Sequence, residues 1–147
     1  MGIDPASERC DAFYRRMAEL RLPLISHAGK EYAMDASAHQ EYGNVLRLRR
    51  ALDAGVRVVV AHCASMGSYE DLDAPDRAQT ASFDLFMRML RNPAYRDNLY
   101  GDISTLAHVH HGVGPLRELL RAPELHPRLV YGSDYPLPAL RFFVMPC

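Results

Sequence analysis

Two histidines and one aspartate each close an apolar run of the sequence: His27, His62 and Asp134. Two neutral imidazoles and one carboxylate are a donor set that zinc and similar divalent ions accept. A bound ion lowers the pKa of its water, and a neighbouring carboxylate can take the proton as that water attacks. These residue types indicate metal-assisted chemistry, with His27, His62 and Asp134 as ligands and Asp134 also as general base.

Each of the three residues also has an ordinary structural explanation. A histidine at the end of a strand is commonly just a hydrogen-bonded residue, and the aspartate of a Gly-Ser-Asp-Tyr-Pro segment commonly shapes a turn. All three residues stand at the end of an apolar run, and this common position favours a shared site. The equivalent ends of parallel strands converge on one edge of a sheet, so these side chains can meet there.

The elements that must position them alternate between apolar runs and amphipathic stretches. The second run, 56–63, is rich in β-branched residues and shows little alternation, which predicts a strand buried on both faces of a parallel sheet. The predicted strands are 22–27, 56–63, 98–103 and 128–134, and the predicted helices are 4–20, 41–54, 76–91 and 114–121. This order predicts βα units and an α/β fold.

Helix-capping residues define the predicted helix ends. Asp4 and Pro5 suit the N-cap and first position of the first helix, and Gly55 suits the C-terminal cap of the second. The segment 64–75 is predicted to be a loop, and Asp76 is predicted to cap the third helix. No low-complexity stretch or linker divides the chain, so we predict one domain over residues 1–147.

Two α/β architectures compete for this pattern. A doubly wound nucleotide-binding sheet would need a glycine-rich phosphate loop, and neither GxGxxG nor GxxxxGK[ST] occurs in the sequence. A (β/α)8 barrel carries its reactive residues at the C-terminal ends of its strands, as the pattern here requires. We therefore predict four parallel strands alternating with helices, as in half of a TIM-type barrel.

Three local strings carry a family resemblance: LPLISHAG at 22–29, VVVAHC at 58–63 and LVYGSDYP at 129–136. They resemble the metal-dependent amidohydrolase superfamily, and above all its amidohydrolase-related branch, from Ile3 to about residue 140. The resemblance implies that His27 and His62 correspond to the metal-binding histidines of strands five and six. It also implies that Asp134 corresponds to the strand-eight aspartate that touches the metal or its water and moves the proton.

The sequence departs from that family in one respect. The family's first strand carries a His-x-His pair, and nothing in the sequence ahead of His27 supplies one. His108 and His110 have that spacing, but they follow the predicted third strand and are expected in a substrate-side or solvent-exposed loop. A barrel of this type needs about 250 residues. We therefore expect the C-terminal half of a barrel that lacks strands one to four.

The resemblance implies a hydrolase that acts on an amide, ester or lactone bond of a small molecule and uses a divalent metal, zinc above all. Decarboxylation of a small carboxylic acid on the same scaffold remains an alternative, as does a non-catalytic, truncated half-barrel. We expect the isolated chain to be inactive. Because four strands cannot close a barrel, we also expect it to form a homo-oligomer or to pair with the missing half-barrel.

The composition excludes several other classes. Seventeen basic residues stand against 18 acidic ones, which excludes the strongly basic surface of a nucleic-acid or anionic-membrane binder. No apolar run approaches the roughly 20 residues that span a bilayer. The N-terminus shows no secretory signal, and three cysteines without metal-type spacing indicate a reduced chain. We predict a cytoplasmic location.

The remaining reactive residue types have structural interpretations. Cys63 is expected to be a buried thiol, because neighbours on a strand point to opposite faces. Lys30 and Glu31 are expected to be a solvated loop pair. Asp71 and Asp73 are expected to be solvated loop carboxylates. The sequence reveals no partners for three histidines, His39, His111 and His126.

Overall fold

The computed structural model describes residues 2–31, 37–107 and 111–134. Its strands are β1 (Leu24–His27), β2 (Val58–Ala61), β3 (Ser68–Glu70), β4 (Gln79–Ala81), β5 (Leu99–Asp102) and β6 (Leu129–Val130). Four of them form a parallel sheet in the order β1-β2-β5-β6, while β3 and β4 form a separate antiparallel hairpin. This confirms the predicted α/β class and the four parallel strands.

One α-helix precedes β1 and the other three lie between strands: α1 (Asp11–Glu19), α2 (Arg49–Asp53), α3 (Ser82–Arg91) and α4 (Val113–Leu120). Short 3-10 helices extend or replace several predicted helical turns, at Glu8–Cys10, Ser37–Gly43, Val45–Leu48, Pro93–Tyr95 and Pro123–Arg128. No helix in the described ranges is long and apolar enough to cross a membrane.

One face of the parallel sheet is fully buried against the helices. Val58, Val60 and Leu99 point to this face, and α3 packs there with Phe86 and Leu90 inaccessible to solvent. Burying each such side chain contributes about 1.5–3 kcal/mol relative to leaving it exposed. This face therefore holds the strands in place and fixes where their C-terminal ends lie.

The other face of the sheet is open, which corrects one prediction. The 56–63 run was expected to be buried on both faces, yet burial alternates along β2, with Val59 and Ala61 only half buried. Ile25, which pairs with Val59, is 73% exposed. The β-branched run does indicate a parallel strand, but among the described residues no layer covers this second face.

The predicted starts of the first two helices are wrong. Asp4 accepts a hydrogen bond from the Ala6 amide and two from the Arg47 guanidinium, so it shapes a turn and binds a distant side chain. The helix α1 begins only at Asp11. The predicted helix 41–54 is interrupted at Asn44, whose side chain accepts from the Leu46 amide and starts a new helical segment.

The predicted loop 64–75 and the start of the predicted helix 76–91 instead contain the β3–β4 hairpin. Asp76 lies in its turn and accepts from the Ala78 amide, and α3 starts six residues later at Ser82. The strands have short, mixed sequences without clear alternation. Their pairing therefore leaves a weak pattern in the sequence.

Both carboxylates of this hairpin region pair with arginines, but only Asp71 departs from the solvated state that the sequence suggested, because Asp73 is exposed as predicted. Asp71 is buried and pairs with both terminal nitrogens of Arg88 at 2.6 Å, and Asp73 pairs in the same way with Arg49 at 2.5 Å. Arg88 also reaches Asp73 at 3.0 Å. We call these four residues the arginine network; it joins the hairpin to α2 and α3.

Candidate active site

The predicted site residues lie at one edge of the parallel sheet. His27 is the last residue of β1, and His62 directly follows β2. Asp102 is the last residue of β5, and Asp134 lies four residues beyond β6. Because all four strands run in the same direction, their C-terminal ends bring these side chains together. We call His27, His62 and Asp134 the histidine site.

His62 is the central member of this site. Its ring centroid lies 5.7 Å from that of His27, with the two rings edge to face. Its Nε2 lies 3.7 Å from Oδ1 of Asp134. The structure therefore brings His62 next to both other residues. Even so, no three His, Cys, Asp or Glu side chains in the described ranges are already arranged to hold a metal ion.

The environment of His27 favours the neutral imidazole. Partial burial lowers its pKa from the ordinary value, and the nearby His62 lowers it further. The carboxylate of Glu31 opposes this effect, since its Oε2 lies 3.8 Å from Nε2 of His27. Glu31 therefore contacts the site, which corrects its expected role as a solvated loop residue, whereas its neighbour Lys30 is exposed as expected.

Left-handed backbone is concentrated at this edge of the sheet. His62, Cys63 and Ala64 have φ angles of 52°, 50° and 51°, and Thr105 and Asp134 have 57° and 53°. Only two other non-glycine residues in the described part of the chain share this conformation. Such residues cost about 1–3 kcal/mol each and persist only where their surroundings enforce them. Here the left-handed residues include two of the candidate site residues, His62 and Asp134.

Asp102 holds the turn that carries His62. Its Oδ2 accepts a hydrogen bond from the His62 amide at 3.4 Å and another from the Ser104 hydroxyl. Its Oδ1 accepts from the Ser104 amide at 3.0 Å. One carboxylate thus ties the backbone of His62 to the residues that follow β5. The sequence analysis missed Asp102, although it is a polar residue at a strand end like the other three.

The Nδ1 atom of His62 is surrounded by oxygen atoms. It lies 3.3 Å from the backbone carbonyl of Ser104, 3.1 Å from the Ser104 hydroxyl and 3.2 Å from the Thr105 hydroxyl. A carbonyl oxygen can only accept a hydrogen bond, and the Ser104 hydroxyl already donates to Asp102. The proton of the neutral imidazole is therefore assigned to Nδ1, which leaves the lone pair on Nε2.

That tautomer places two acceptors opposite each other. The Nε2 lone pair of His62 faces the Asp134 carboxylate at 3.7 Å, an arrangement that needs a proton or a cation between the two atoms. Zinc bonds of about 2.0–2.2 Å at a tetrahedral angle separate two ligand atoms by about 3.4 Å. The donor types and this separation fit a divalent ion shared by His62 and Asp134, with His27 as the adjacent third donor.

Another histidine, His111, also lies close to His62. His111 is buried, and its Nε2 lies 3.1 Å from the Thr105 hydroxyl that also contacts His62. Its Nδ1 lies 2.5 Å from the Ser65 hydroxyl, and its ring centroid is 5.8 Å from that of His62. The sequence revealed no partner for His111, because only the folded chain brings its ring next to the hydroxyl groups of Ser65 and Thr105. Ser65 and Thr105 were missed for the same reason.

Cys63 is the buried thiol that the sequence predicted. Its Sγ donates to the backbone carbonyl of Asp102 at 3.3 Å, and burial raises the pKa of the thiol. Gly101 makes room for it, since a Cβ atom at that position would lie 2.7 Å from Sγ and 2.8 Å from the Phe86 ring. The thiol therefore packs against the core side and takes no part in the histidine site.

The other histidines fall into two groups. His108 and His110 lie outside the described residues, so their predicted loop position stays a prediction. His39 stacks on Tyr42, and Nε2 of His126 lies 3.0 Å from the carbonyl oxygen of Leu119, so both are structural.

Comparisons with known proteins identify the family and the fold of the chain. The family model described as amidohydrolase matches residues 1–143. No curated protein matches the chain. A crystal structure from Pseudomonas putida, described as a "Putative 2-Pyrone-4,6-Dicarboxylic Acid Hydrolase", has a similar fold, with a TM-score of 0.56 at 18% sequence identity. The match covers 95% of this chain and 46% of that one, so the chain spans less than half of the solved structure's length.

Proposed function

Since the chain belongs to the amidohydrolase family, we propose that it supplies the histidine site of a hydrolase. The substrate class is a small molecule with an amide, ester or lactone bond. The observation that carries this proposal is the Nε2 atom of His62, which faces the Asp134 carboxylate at 3.7 Å. Two such acceptors side by side suit a divalent ion, and zinc is the ion we propose.

Each residue has a defined task in this proposal. His27 and His62 hold the ion through neutral imidazoles, and Asp134 is both ligand and general base. When bound, the ion's chemical contribution is to activate a water molecule. Asp134 takes the proton from the attacking water and returns it to the leaving group. Asp102 and Ser104 keep Nδ1 of His62 protonated, so that Nε2 stays available.

Hydrolysis is preferred over decarboxylation for two reasons. A carboxylate beside the proposed ion can accept the proton of an attacking water, and decarboxylation has no such proton to remove. The solved structure with the similar fold is also described as a hydrolase. A cyclic ester such as 2-pyrone-4,6-dicarboxylic acid is therefore the first substrate to test, with release of carbon dioxide measured in parallel. Carbon dioxide without ring opening would favour the decarboxylase.

Metal content provides the test of the site itself. We expect the zinc-loaded chain to retain one ion after dialysis, measured by mass spectrometry. Replacing His62 or Asp134 by alanine removes a proposed ligand, so each variant is expected to lose the ion. His39→Ala is the matched control, because His39 is exposed and stacks on Tyr42. Zinc retained by both site variants, or lost equally by the control, contradicts the assignment.

We also propose that efficient turnover needs further βα units, so the isolated chain is expected to be nearly inactive. The chain spans 46% of the similar solved chain, and the open face of its sheet is the face that a complete barrel encloses. Turnover by the isolated chain that survives His27→Ala would contradict both this proposal and the ligand assignment.

The partners follow from the same open sheet. Within the described ranges its edge strands β1 and β6 have a neighbouring strand on one side only, and Ile25 and Tyr131 are 73% and 81% exposed. Unpaired edges next to apolar surface promote association between chains. We propose that the chain forms a homo-oligomer or pairs with a complementary half-barrel. Light scattering is expected to show a mass above that of one chain, and a monodisperse monomer would contradict the proposal.

A further inference from the structure

A pocket rich in arginine lies at the end of the sheet opposite the histidine site. It has a volume of about 270 Å³, and Arg91, Arg96, Arg128 and Glu124 contribute to its lining. Arg96 lies shortly before β5, and Arg128 immediately precedes β6. The histidine-site residues instead lie at or beyond the C-terminal ends of the strands. We call this the basic pocket.

Arg128 has a buried donor that the protein leaves without a partner. Its Nη1 atom is buried and forms no hydrogen bond with any described residue. A buried guanidinium nitrogen without an acceptor costs free energy, because water no longer solvates its hydrogens. Burial lowers the pKa of Arg128, and the positive charge of Arg96 lowers it further. An anion bound beside Arg96 and Arg128 would offset the repulsion between these two positive charges.

The charges that line the basic pocket do not balance. Three guanidinium groups stand against the one carboxylate of Glu124. Arg91 also reaches Glu118 at 3.2 Å, so part of its charge is already compensated on the neighbouring helix. Asp97 offers Arg128 some electrostatic compensation, while Nη1 of Arg128 has no hydrogen-bond partner among the described residues. The lining of the pocket therefore has an excess of guanidinium groups over carboxylates.

We propose that the basic pocket binds a small, doubly charged oxyanion of the phosphate class, either inorganic phosphate or a phosphate monoester. Planar guanidinium groups match the spacing of phosphate oxygens and can donate in pairs. The volume of about 270 Å³ accommodates such an ion. Because the histidine site lies at the other end of the strands, the anion stabilises the N-terminal end of the sheet and takes no part in hydrolysis.

Thermal unfolding of the full chain tests this proposal. The melting temperature is compared in sodium phosphate and in sodium chloride at equal ionic strength and near-neutral pH. At a phosphate concentration ten times the dissociation constant, mass action predicts a rise of about 4 °C for a chain of this size. Direct binding is measured in parallel from the broadening of the phosphorus-31 resonance of inorganic phosphate.

Two pocket variants and one control make the test specific. Arg128→Met is expected to abolish both the phosphate-dependent rise and the line broadening. Arg96→Met is expected to have the same effect. Because it alters an exposed residue, it keeps the test usable if Arg128→Met folds poorly. Arg16→Met is the matched control, because Arg16 is exposed on α1, pairs with Glu19 and does not line the basic pocket, so it should keep the full response.

Two outcomes of these measurements would overturn the proposal. An equal phosphate response in the wild-type chain, the pocket variants and the control would show a general anion effect. The absence of any difference between phosphate and chloride in the wild-type chain would show that the pocket binds no such ion. A methyl phosphate arm distinguishes the two sources of the ligand, since a pocket that accepts only the free ion would respond to inorganic phosphate alone.

Discussion

The arginine network and the histidine site are both clusters of charged or polar side chains, but they differ in how their charges are satisfied. In the arginine network, each carboxylate faces a planar guanidinium. Asp71 accepts two hydrogen bonds from Arg88 at 2.6 Å, and Asp73 accepts two from Arg49 at 2.5 Å. Every strong acceptor of this cluster has its own donor, so the network needs nothing from outside the chain.

In the histidine site, only one of the two ring nitrogens of His62 has hydrogen-bonding partners at close range among the described residues. Nδ1 of His62 is held by Ser104 and Thr105, whereas its Nε2 faces the Asp134 carboxylate at 3.7 Å, beyond hydrogen-bonding distance. A cluster whose donors and acceptors match stabilises the fold. A cluster that is rigidly held on one side and left open on the other is prepared for a ligand. The contrast distinguishes the arginine network from the proposed metal site without reference to motifs.

The largest effect is expected for the general base. Asp134→Asn keeps the shape of the side chain but removes its ability to take a proton. In the enzyme with a complete barrel, kcat is expected to fall by about 10²–10⁴-fold. Asp71→Asn, in the arginine network, is expected to leave kcat nearly unchanged at temperatures where the protein is folded. Steady-state kinetics on both variants measure this contrast, and equal losses of kcat would remove the distinction between the clusters.

A smaller effect is expected for the residues that position His62. Ser104→Ala and Asp102→Ala loosen the contacts at Nδ1, and zinc affinity is expected to fall by about 10–100-fold. The nitrogen-15 shifts of the His62 ring report which nitrogen carries the proton. We expect Nδ1–H in the metal-free wild-type chain and a mixture of tautomers in the two variants.

The conservative change provides the control for this positioning role. Asp102→Asn keeps an oxygen acceptor for the Ser104 hydroxyl, so it should restore part of the zinc affinity and of the Nδ1–H population. Weaker zinc binding with an unchanged tautomer in Asp102→Ala would show that Asp102 only stabilises the fold.

Breaking the arginine network is expected to affect stability alone. Asp71→Ala leaves Arg88 without its principal partner, and the free energy of unfolding is expected to fall by about 1–3 kcal/mol. Urea unfolding measures the loss. Glu19→Ala is the control, because it breaks the exposed Arg16–Glu19 pair, which is expected to be worth at most about 0.5 kcal/mol. A loss no greater than that of the control would contradict the structural role of Asp71.

The smallest effect is expected in acid. The Arg88 guanidinium holds the pKa of Asp71 well below its usual range. The unfolded chain, with an Asp pKa of about 3.9, therefore binds this proton more readily than the folded chain does. The contribution of Asp71 is complete above about pH 5 and is lost as the pH falls through 4 and below. Stability should decline less steeply with acid in Asp71→Asn, and identical slopes would argue against the pair.

The sequence was sufficient for the parts of the fold that rest on strong local patterns. The β-branched run before His62 and the apolar run before His27 gave strands in the predicted order. Because strand ends in a parallel sheet share an edge, the histidine site could be assembled from three positions. The hairpin at 68–81 was missed, since its strands are three residues long and depend on pairing between distant segments rather than on alternation.

The supporting residues of the site could not be found by the same reasoning. Asp102 ends a correctly predicted strand, and Ser104 and Thr105 follow it, yet their contacts with His62 span about forty residues of chain. Ser65 and His111 meet across a comparable separation. Such contacts depend on left-handed turns after β2 and β5, and no propensity scale predicts three consecutive non-glycine residues in that conformation.

The burial of Cys63 bears on metal selectivity. Thiolate is the soft ligand that draws copper(I) and other thiophilic ions, and only the deprotonated sulfur binds them. The thiol beside His62 is directed at the Asp102 carbonyl, and burial raises its pKa, so it stays protonated near neutral pH. The histidine site therefore offers nitrogen and oxygen donors alone. This borderline-to-hard donor set suits the zinc ion proposed above and disfavours copper(I).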